Sequence, residues 1–393
     1  LLNTDKDEFK RILLRTTFAG GSQTIIKDAM ISDLVKDFDF EMLHYRPIIL
    51  FLNGEYWGIH TIRERIDKYY LSKMYNIPAD SIDMLENNSQ VEEGSNADYL
   101  DMLNYIASND LAEFVHYEHI KTRMDIDNFI DYQIVEIYFG NIDWPGSNIR
   151  YWKAQRPGAK WRWILFDLDN TCFDPFFDHL SYATSDADTS WQNPAWATFL
   201  LRNLLKNEEF EGQFLDRFAN HLNNTFQTDT LLDQIAEFTA LYEQNMDMHI
   251  ARWNFPRSFN GWKDDINYVL SGFAQDRPCS ITEYILNYFN LSPDEFGFIC
   301  DTSISPSNGT SAEIEIFPNP LFSHMNFKLS KCRANQALLQ IFSKTGKLQL
   351  EKQLSLTNNS LYGVIDMSDL SPGLYLIRIT CDDGQVVSKF IKM

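Results

Sequence analysis

Asn141-Ile142-Asp143-Trp144-Pro145-Gly146-Ser147-Asn148, followed by Trp161-Arg162-Trp163-Ile164-Leu165-Phe166-Asp167-Leu168-Asp169, decides how this 393-residue chain is read. Just upstream, Ile126, Phe129, Ile130, Ile134, Ile137 and Tyr138 fall at helical spacing. Asp125 is placed to cap that helix and Gly140 to end it. Arg150 to Lys153 and Trp161 to Phe166 read as two strands joined by Gln155-Arg156-Pro157-Gly158. The order is helix, polar loop, hairpin, acidic turn. Asp143 and Asn148 stand five apart in the loop, and Asp167 and Asp169 close the second strand. If that last segment stays extended, both carboxylates point to one face.

Such an order suits phosphoryl transfer. A loop aspartate orients the acceptor hydroxyl, an asparagine five residues on binds Mg²⁺, and an aspartate after the next hairpin holds the same metal against nucleotide phosphates. Oxygen ligands of this kind favour Mg²⁺, which needs few protein groups. The D-x-x-x-x-N spacing alone is a weak signal, because Asp and Asn are ordinary turn residues that cap their own backbone. A competing reading takes Ile164-Leu165-Phe166-Asp167-Leu168-Asp169-Asn170-Thr171 as the first motif of a haloacid-dehalogenase-type phosphatase, with Lys263 and Asp264-Asp265 as later motifs. That motif normally opens its domain on a parallel central strand, whereas here well-patterned elements precede it.

Toward the N-terminus, Phe9 to Thr17 reads as a strand and Thr24 to Asp37 as a helix with Ile26, Ala29, Met30 and Leu34 on one face. Ile48 to Leu52, the turn dipeptide Asn53-Gly54, and Trp57 to Ile62 predict a hairpin. Glu64 to Tyr75 reads as a helix, and the acidic stretch Ser81 to Asp98 as a surface excursion. Trp191 to Phe298 is mostly helical, with a Trp- and Phe-rich apolar face.

Composition bounds the rest. At 44% hydrophobic the chain has ample material for a buried core. A net charge of −21 excludes holding nucleic acid by phosphate neutralisation. From Glu313 to Met393 there are nine Lys/Arg against seven Asp/Glu, so the acidity lies in the preceding part. The small, polar run from Asp301 to Ser311 reads as a linker. The expected layout is residues 1–300, a linker at 301–312, and a small antiparallel β-sandwich at 313–393. No stretch is long and apolar enough to span a bilayer. The chain opens at Leu1 rather than Met, without a signal peptide, and is expected to begin internally. Among the five cysteines, Cys332 with Cys381 or Cys279 with Cys300 could pair.

The run Phe51-Leu52-Asn53-Gly54-Glu55-Tyr56-Trp57-Gly58-Ile59-His60-Thr61-Ile62-Arg63-Glu64 and the two quoted at the outset resemble the CotH (spore-coat protein H-like) kinase family. So do Leu14-Arg15, Lys27-Asp28 and Ala274-Gln275-Asp276-Arg277-Pro278, and the resemblance covers roughly residues 1–298. It implies an α+β fold with an atypical protein-kinase-like domain, incomplete at its N-terminal part. It also implies transfer of the ATP γ-phosphate to Ser or Thr of a partner protein, with ATP and Mg²⁺ as cofactors. By that resemblance Asp143 faces the acceptor hydroxyl, and Asn148, Asp167 and Asp169 supply the metal site. Arg15, Asp28 and Glu64 fall to the nucleotide side, Arg15 pairing with an acidic group as a kinase Lys–Glu pair does. Family members usually carry an upstream Arg-Gly-Asn-Ser-like loop that this sequence lacks; Gly20-Gly21 is no phosphate-cradling loop.

The tail is similar to a type IX secretion sorting domain through Ile316-Phe317-Pro318-Asn319-Pro320, Thr345-Gly346-Lys347, Leu370-Ser371-Pro372-Gly373-Leu374-Tyr375 and Lys389-Phe390-Ile391-Lys392. That resemblance implies the type IX machinery as a partner, a Bacteroidetes-type bacterium, and a secreted or outer-membrane-surface location. The destination raises a second reading, because ATP is scarce outside the cell. In it the domain is a pseudokinase, surface scaffold or glycan binder, with Trp144, Trp152, Trp161 and Trp163 as a stacking surface.

Overall fold

β1 (Ile12–Thr16), α1 (Lys27–Leu34) and the two-residue β2 (Glu41–Met42) lead into a hairpin, β3 (Tyr45–Leu52) and β4 (Glu55–Glu64). Asn53 and Gly54 both have positive φ, 52° and 85°, as the tight primed turn requires. β1 pairs antiparallel with β4, setting Arg15 opposite Thr61, and the first sheet has the order β1-β4-β3. The computed structural model describes residues 9–16, 24–187 and 190–300, and in the tail 313–317, 321, 324–330, 336–343, 347–355, 361–368, 370–381 and 384–392. The expected linker, Gly20-Gly21, Thr345-Gly346, Pro318-Asn319-Pro320 and Cys332 lie outside the described residues. Two units separate, Leu1–Cys300 and Asp301–Met393.

α2 (Lys68–Tyr75) follows the hairpin, shorter than expected because Asp67 caps it, accepting from the Tyr69 and Tyr70 N–H groups. The stretch Ser81 to Asp98 is not a surface excursion. It forms β5 (Ile82–Glu86) and β6 (Gln90–Glu93), and Ile82, Met84 and Leu85 are core residues. Its acidity misled because Asp83 is an internal acceptor, bonded by Ser95 N at 2.8 Å and Gln155 Nε2 at 2.7 Å. With β7 (Arg150–Ala154) and β8 (Arg162–Leu165) these strands build a five-stranded sheet, β2-β8-β7-β5-β6.

Between those strands lie α3 (Ala97–Ser108), α4 (Phe114–Lys121) and α5 (Ile126–Phe139). α5 is the centre of the domain: every residue but Asp127 is buried. Asp125 accepts from Asn128 N at 3.3 Å, and Gly140 ends the helix with φ 63°. The remainder is helical, as the sequence predicts. It comprises α6 (His179–Ala183), α7 (Phe199–Leu204), α8 (Glu208–Asn223), α9 (Thr228–Glu243), α10 (Met246–Trp253), α11 (Phe259–Asp265), α12 (Gly272–Phe289) and α13 (Pro293–Phe296). Phe210, Phe214 and Phe218, four apart on α8, bury one face in the core. On α12, the fully buried Arg277 donates to the carbonyls of Ile137, Tyr138, Pro175 and Phe177 at 2.8–2.9 Å. It therefore clamps the C-terminal end of α5, the point from which the polar loop departs. Cys279 and Cys300 form a disulfide, with Cα atoms 5.3 Å apart, and Cys172 is a buried free thiol. Among the described residues no helix is long and apolar enough to cross a membrane.

The tail is a two-sheet antiparallel unit, as expected. β9 (Glu313–Phe317), β10 (His324–Ser330) and β13 (Leu361–Asp366) make one sheet, ordered β13-β10-β9. β11 (Gln336–Ser343), β12 (Leu348–Ser355), β14 (Gly373–Cys381) and β15 (Gly384–Lys392) make the other, ordered β12-β11-β14-β15. Met325, Phe327, Leu339, Ile341, Ile377 and Ile379 fill the space between. β12 is an edge strand with little buried surface: Leu348 is exposed and only Leu354 is fully inside.

Candidate active site

The acidic turn after β8 is bent rather than extended. Asp167 adopts φ 64° and ψ 55°, and Leu168–Asn170 forms one turn of 3₁₀ helix. The two carboxylates still converge, because Arg15 from β1 lies across both. Its Nη2 donates to Asp169 Oδ2 at 2.9 Å and also to Asp167 Oδ1. Burial and the neighbouring Asp167 carboxylate push Asp169 up to about 7, against the pull of Arg15. The Arg15 guanidinium is held charged in spite of its burial by Asp28, Asp167 and Asp169.

α1 lies beneath this turn. Lys27 and Asp28 open the helix, and both are buried. Asp28 Oδ1 accepts from Leu168 N at 3.1 Å, fixing the bend of the acidic turn, while its other oxygen pairs with Arg63 of β4. Burial alone would raise the Asp28 pKa; Arg63, Arg15 and the Leu168 N–H outweigh it and hold it below the usual carboxylate range. Lys27 Nζ donates to Thr171 O at 2.8 Å and sits 3.9 Å from the centre of the Phe173 ring. Burial lowers its pKa to about 8. A cavity of about 20 Å³ opens among Arg15, Lys27, Asp28, Arg63 and Asp169.

The polar loop meets the acidic turn edge to edge. Ile142 N donates to Asn170 O at 3.0 Å, and Asn170 Nδ2 donates to Asp143 Oδ2 at 2.5 Å. Asn141 ties the two segments to α5: its Nδ2 donates to Glu136 Oε2 at 2.9 Å and reaches Asp167 O at 3.5 Å, and its Oδ1 accepts from Asp143 N at 3.2 Å. Gly146 has no room for a side chain, because the Trp191 and Gln192 backbone lies against it and its own N–H bonds Gln192 O at 2.7 Å. Asn148 lies in the bend that precedes β7, with φ 58°, and is not part of the paired strands.

Arg15, Asp28, Asp167 and Asp169 thus form one cluster, with Asp143 joined to it through Asn170. Arg15 pairs with the acidic turn, and Glu64 does not share the cluster. Glu64 follows Arg63 on β4 and so faces the opposite side of the strand, where the Tyr70 hydroxyl feels its charge. Lys27, Arg63, Glu136, Asn141 and Asn170 were not singled out from sequence. Each sits beside or within a quoted motif, but which partner a side chain finds, 5 residues away for Glu136 and Asn141 or 144 for Lys27 and Thr171, leaves no periodic trace. Against the phosphatase alternative, among the described residues β8 follows seven strands and five helices instead of opening the domain, its parallel pairing is with the two-residue β2 alone while β7 is antiparallel to it, and Lys263 is bound to Glu243 at 2.9 Å. Trp144, Trp152, Trp161 and Trp163 are all buried, so they form no exposed stacking surface.

A family model described as CotH kinase protein matches residues 3–281. The chain belongs to the CotH kinase family. A second model, the secretion system C-terminal sorting domain, matches residues 315–393. This CotH-family chain thus carries a signal for type IX export to the cell surface or beyond. No curated protein matches it. Among solved structures, dimeric latent PorU from Porphyromonas gingivalis aligns at 18% identity over 21% of this chain and 9% of its own length, with a TM-score of 0.18. A likeness that slight carries no argument about the CotH-family domain.

Proposed function

We propose that this protein is an exported kinase that transfers the ATP γ-phosphate to Ser or Thr hydroxyls of other exported proteins. The observation that carries the reading is the junction of the polar loop with the acidic turn, where Asn170 bonds Asp143 and Arg15 gathers Asp167 and Asp169. The acceptor oxygen attacks the γ-phosphorus, the bond from that phosphorus to the β,γ-bridging oxygen breaks, and ADP departs. Asp143 orients the hydroxyl and takes its proton. The donor set at the turn, two carboxylates without sulfur or imidazole, suits Mg²⁺. Among the described residues no three His, Cys, Asp or Glu side chains are set to hold a metal by themselves. Asp167 and Asp169 would hold Mg²⁺ with water and phosphate oxygens completing its shell, and the ion would neutralise phosphate charge. Arg15, Lys27 and Arg63 are the cations nearest the phosphates in this scheme.

The test is phosphate transfer from labelled ATP to exported protein by the wild type and by Asp143→Asn. A fall of about a hundredfold or more is expected in the variant; unchanged transfer by a folded variant ends the proposal.

A non-catalytic scaffold is the second reading, and one observation favours it. Arg15 already pairs with both carboxylates, and the cavity beside them, about 20 Å³, admits a water but no adenosine. Thermal melting with and without Mg-ATP separates the two: a rise in Tm favours the kinase, and no rise at millimolar nucleotide favours the scaffold.

A further inference from the structure

Four residues after Asp169 begins a stretch of exposed aromatic side chains. Phe173, Phe176 and Phe177 are 43%, 59% and 42% exposed, three large rings within five residues. Their backbone is tied to the domain. The carbonyls of Pro175, Phe176 and Phe177 accept from Arg277, Ser280 and Tyr284 of α12. Asp174 Oδ1 accepts from Phe176 N at 2.9 Å, which fixes the turn between the rings. Large apolar groups held in water by a backbone this firmly bonded mark a surface that another molecule covers.

The stretch adjoins the candidate active site. Thr171 O accepts from Lys27 Nζ, which lies 3.9 Å from the centre of the Phe173 ring. Asn170, three residues before Phe173, bonds Asp143. Charge then narrows the partner. From Asp167 to Leu201 the sequence has six Asp and no Glu, Lys or Arg. Asp174 and Asp178 each accept from a backbone N–H, of Phe176 and of Ser181, and make no ion pair among the described residues. Arg277 feels the Asp178 charge, but its bonds go to carbonyls. A second copy of this chain would bring the same negative charge to the patch, and so would an anionic membrane; both are repelled. A segment that is apolar and basic is attracted.

We propose that this loop docks the acceptor segment of the partner protein, with a large apolar side chain on Phe173, Phe176 and Phe177 and Lys or Arg against Asp174 and Asp178. That the docked segment is the acceptor rests on the kinase reading above; that it is apolar and basic rests on this loop alone. The apolar contact supplies the hold, and the exposed charges set the rate of encounter and its sensitivity to salt.

Dye-labelled serine peptides test the proposal by fluorescence anisotropy with the full chain. One carries a leucine and lysines, a second has glycine for the leucine, and a third has glutamates for the lysines. The first should bind most tightly, and the second about tenfold more weakly for want of one buried apolar side chain. The third should not bind, and binding of the first should weaken steeply as salt rises from about 0.05 to about 0.5 M. Phe176→Ser should keep the wild-type Tm, weaken the first peptide about tenfold and leave the second unchanged. Asp174→Asn keeps an acceptor for Phe176 N and should flatten the salt dependence. Equal binding of all three peptides, or equal binding of the first by Phe176→Ser and wild type, overturns the proposal. So does a Phe176→Ser change that turns a dimer into a monomer in sedimentation or releases the chain from phosphatidylcholine vesicles, since the rings then face a second copy or a lipid. Phosphate transfer from labelled ATP to the same peptides separates this inference from the kinase reading. Selective binding without transfer supports the docking surface and counts against the kinase; equal transfer to all three supports the kinase and overturns the surface.

Discussion

Glu136→Gln offers a measurement of what the buried end of α5 costs. Glu136 is 0% exposed; one oxygen accepts from Asn141 Nδ2 at 2.9 Å and the other has no partner. Burial, with a smaller push from Asp167, raises its pKa from an ordinary 4.5 to about 8 in spite of Asn141. The sign follows from linkage. Below about pH 4.5 the group is protonated in both folded and unfolded chains, and folding is unpenalised. As pH rises, the unfolded chain loses the proton while the folded one keeps it, so stability drains away until the pH passes about 8. At about 1.4 kcal/mol per pH unit, the loss at pH 7 is about 3 kcal/mol, an upper bound if water reaches the site. Glutamine keeps the shape and the acceptor for Asn141 but does not titrate. All nine tryptophans precede Asp301, so urea unfolding followed by tryptophan fluorescence reports this domain and not the tail. Between pH 5 and pH 8 wild-type stability should fall relative to the variant, which should be the more stable protein at pH 7. Parallel pH profiles would refute the reasoning, placing Glu136 in a solvated or charge-compensated environment.

Three further changes probe the scaffold. Asp28→Asn keeps an oxygen for Leu168 N but leaves buried Arg63 without its counter-charge; urea unfolding should register a loss of about 3–5 kcal/mol. Gly146→Ala forces a methyl against the Trp191 and Gln192 backbone. It should cost about 1–3 kcal/mol in melting experiments, and it should lower phosphate transfer if the loop carries the acceptor-facing carboxylate. Cys279→Ser opens a loop with a sequence separation of 21, and chain entropy puts its denaturation cost at about 3 kcal/mol; the same loss should follow reduction of the wild type.

What the sequence discloses here is mostly local. α5 was legible because its cap, its stop and its apolar spacing lie within a 16-residue window from Asp125 to Gly140. The first hairpin was legible because Asn53-Gly54 dictates its own turn. β5 was not, since Asp83 reads as surface until Ser95 and Gln155 are seen to bind it. The candidate site divides along the same line. The loop and the acidic turn could be picked out as acidic punctuation between strands, but the bend at Asp167 could not, because it is imposed by Asp28 from α1, 140 residues before Leu168. Arg15 was expected to pair with an acidic group, but the sequence did not say which one. Its partners are 152 and 154 residues distant, on the turn after β8, and only the folded domain brings them within reach.

The disulfide ties Cys300, the last residue of the first unit, to Cys279 within α12. Tension applied to the tail, by export machinery or by anchorage at a surface, therefore enters the domain at position 279. The 20 residues between the two cysteines carry none of it. Two residues from that anchor stands Arg277, whose bonds to the Ile137 and Tyr138 carbonyls hold α12 to α5 and whose bonds to the Pro175 and Phe177 carbonyls hold it to the segment before α6. Mechanical load thus arrives at one of the most firmly riveted points in the domain, and a pull on the tail need not unravel the helices on its way.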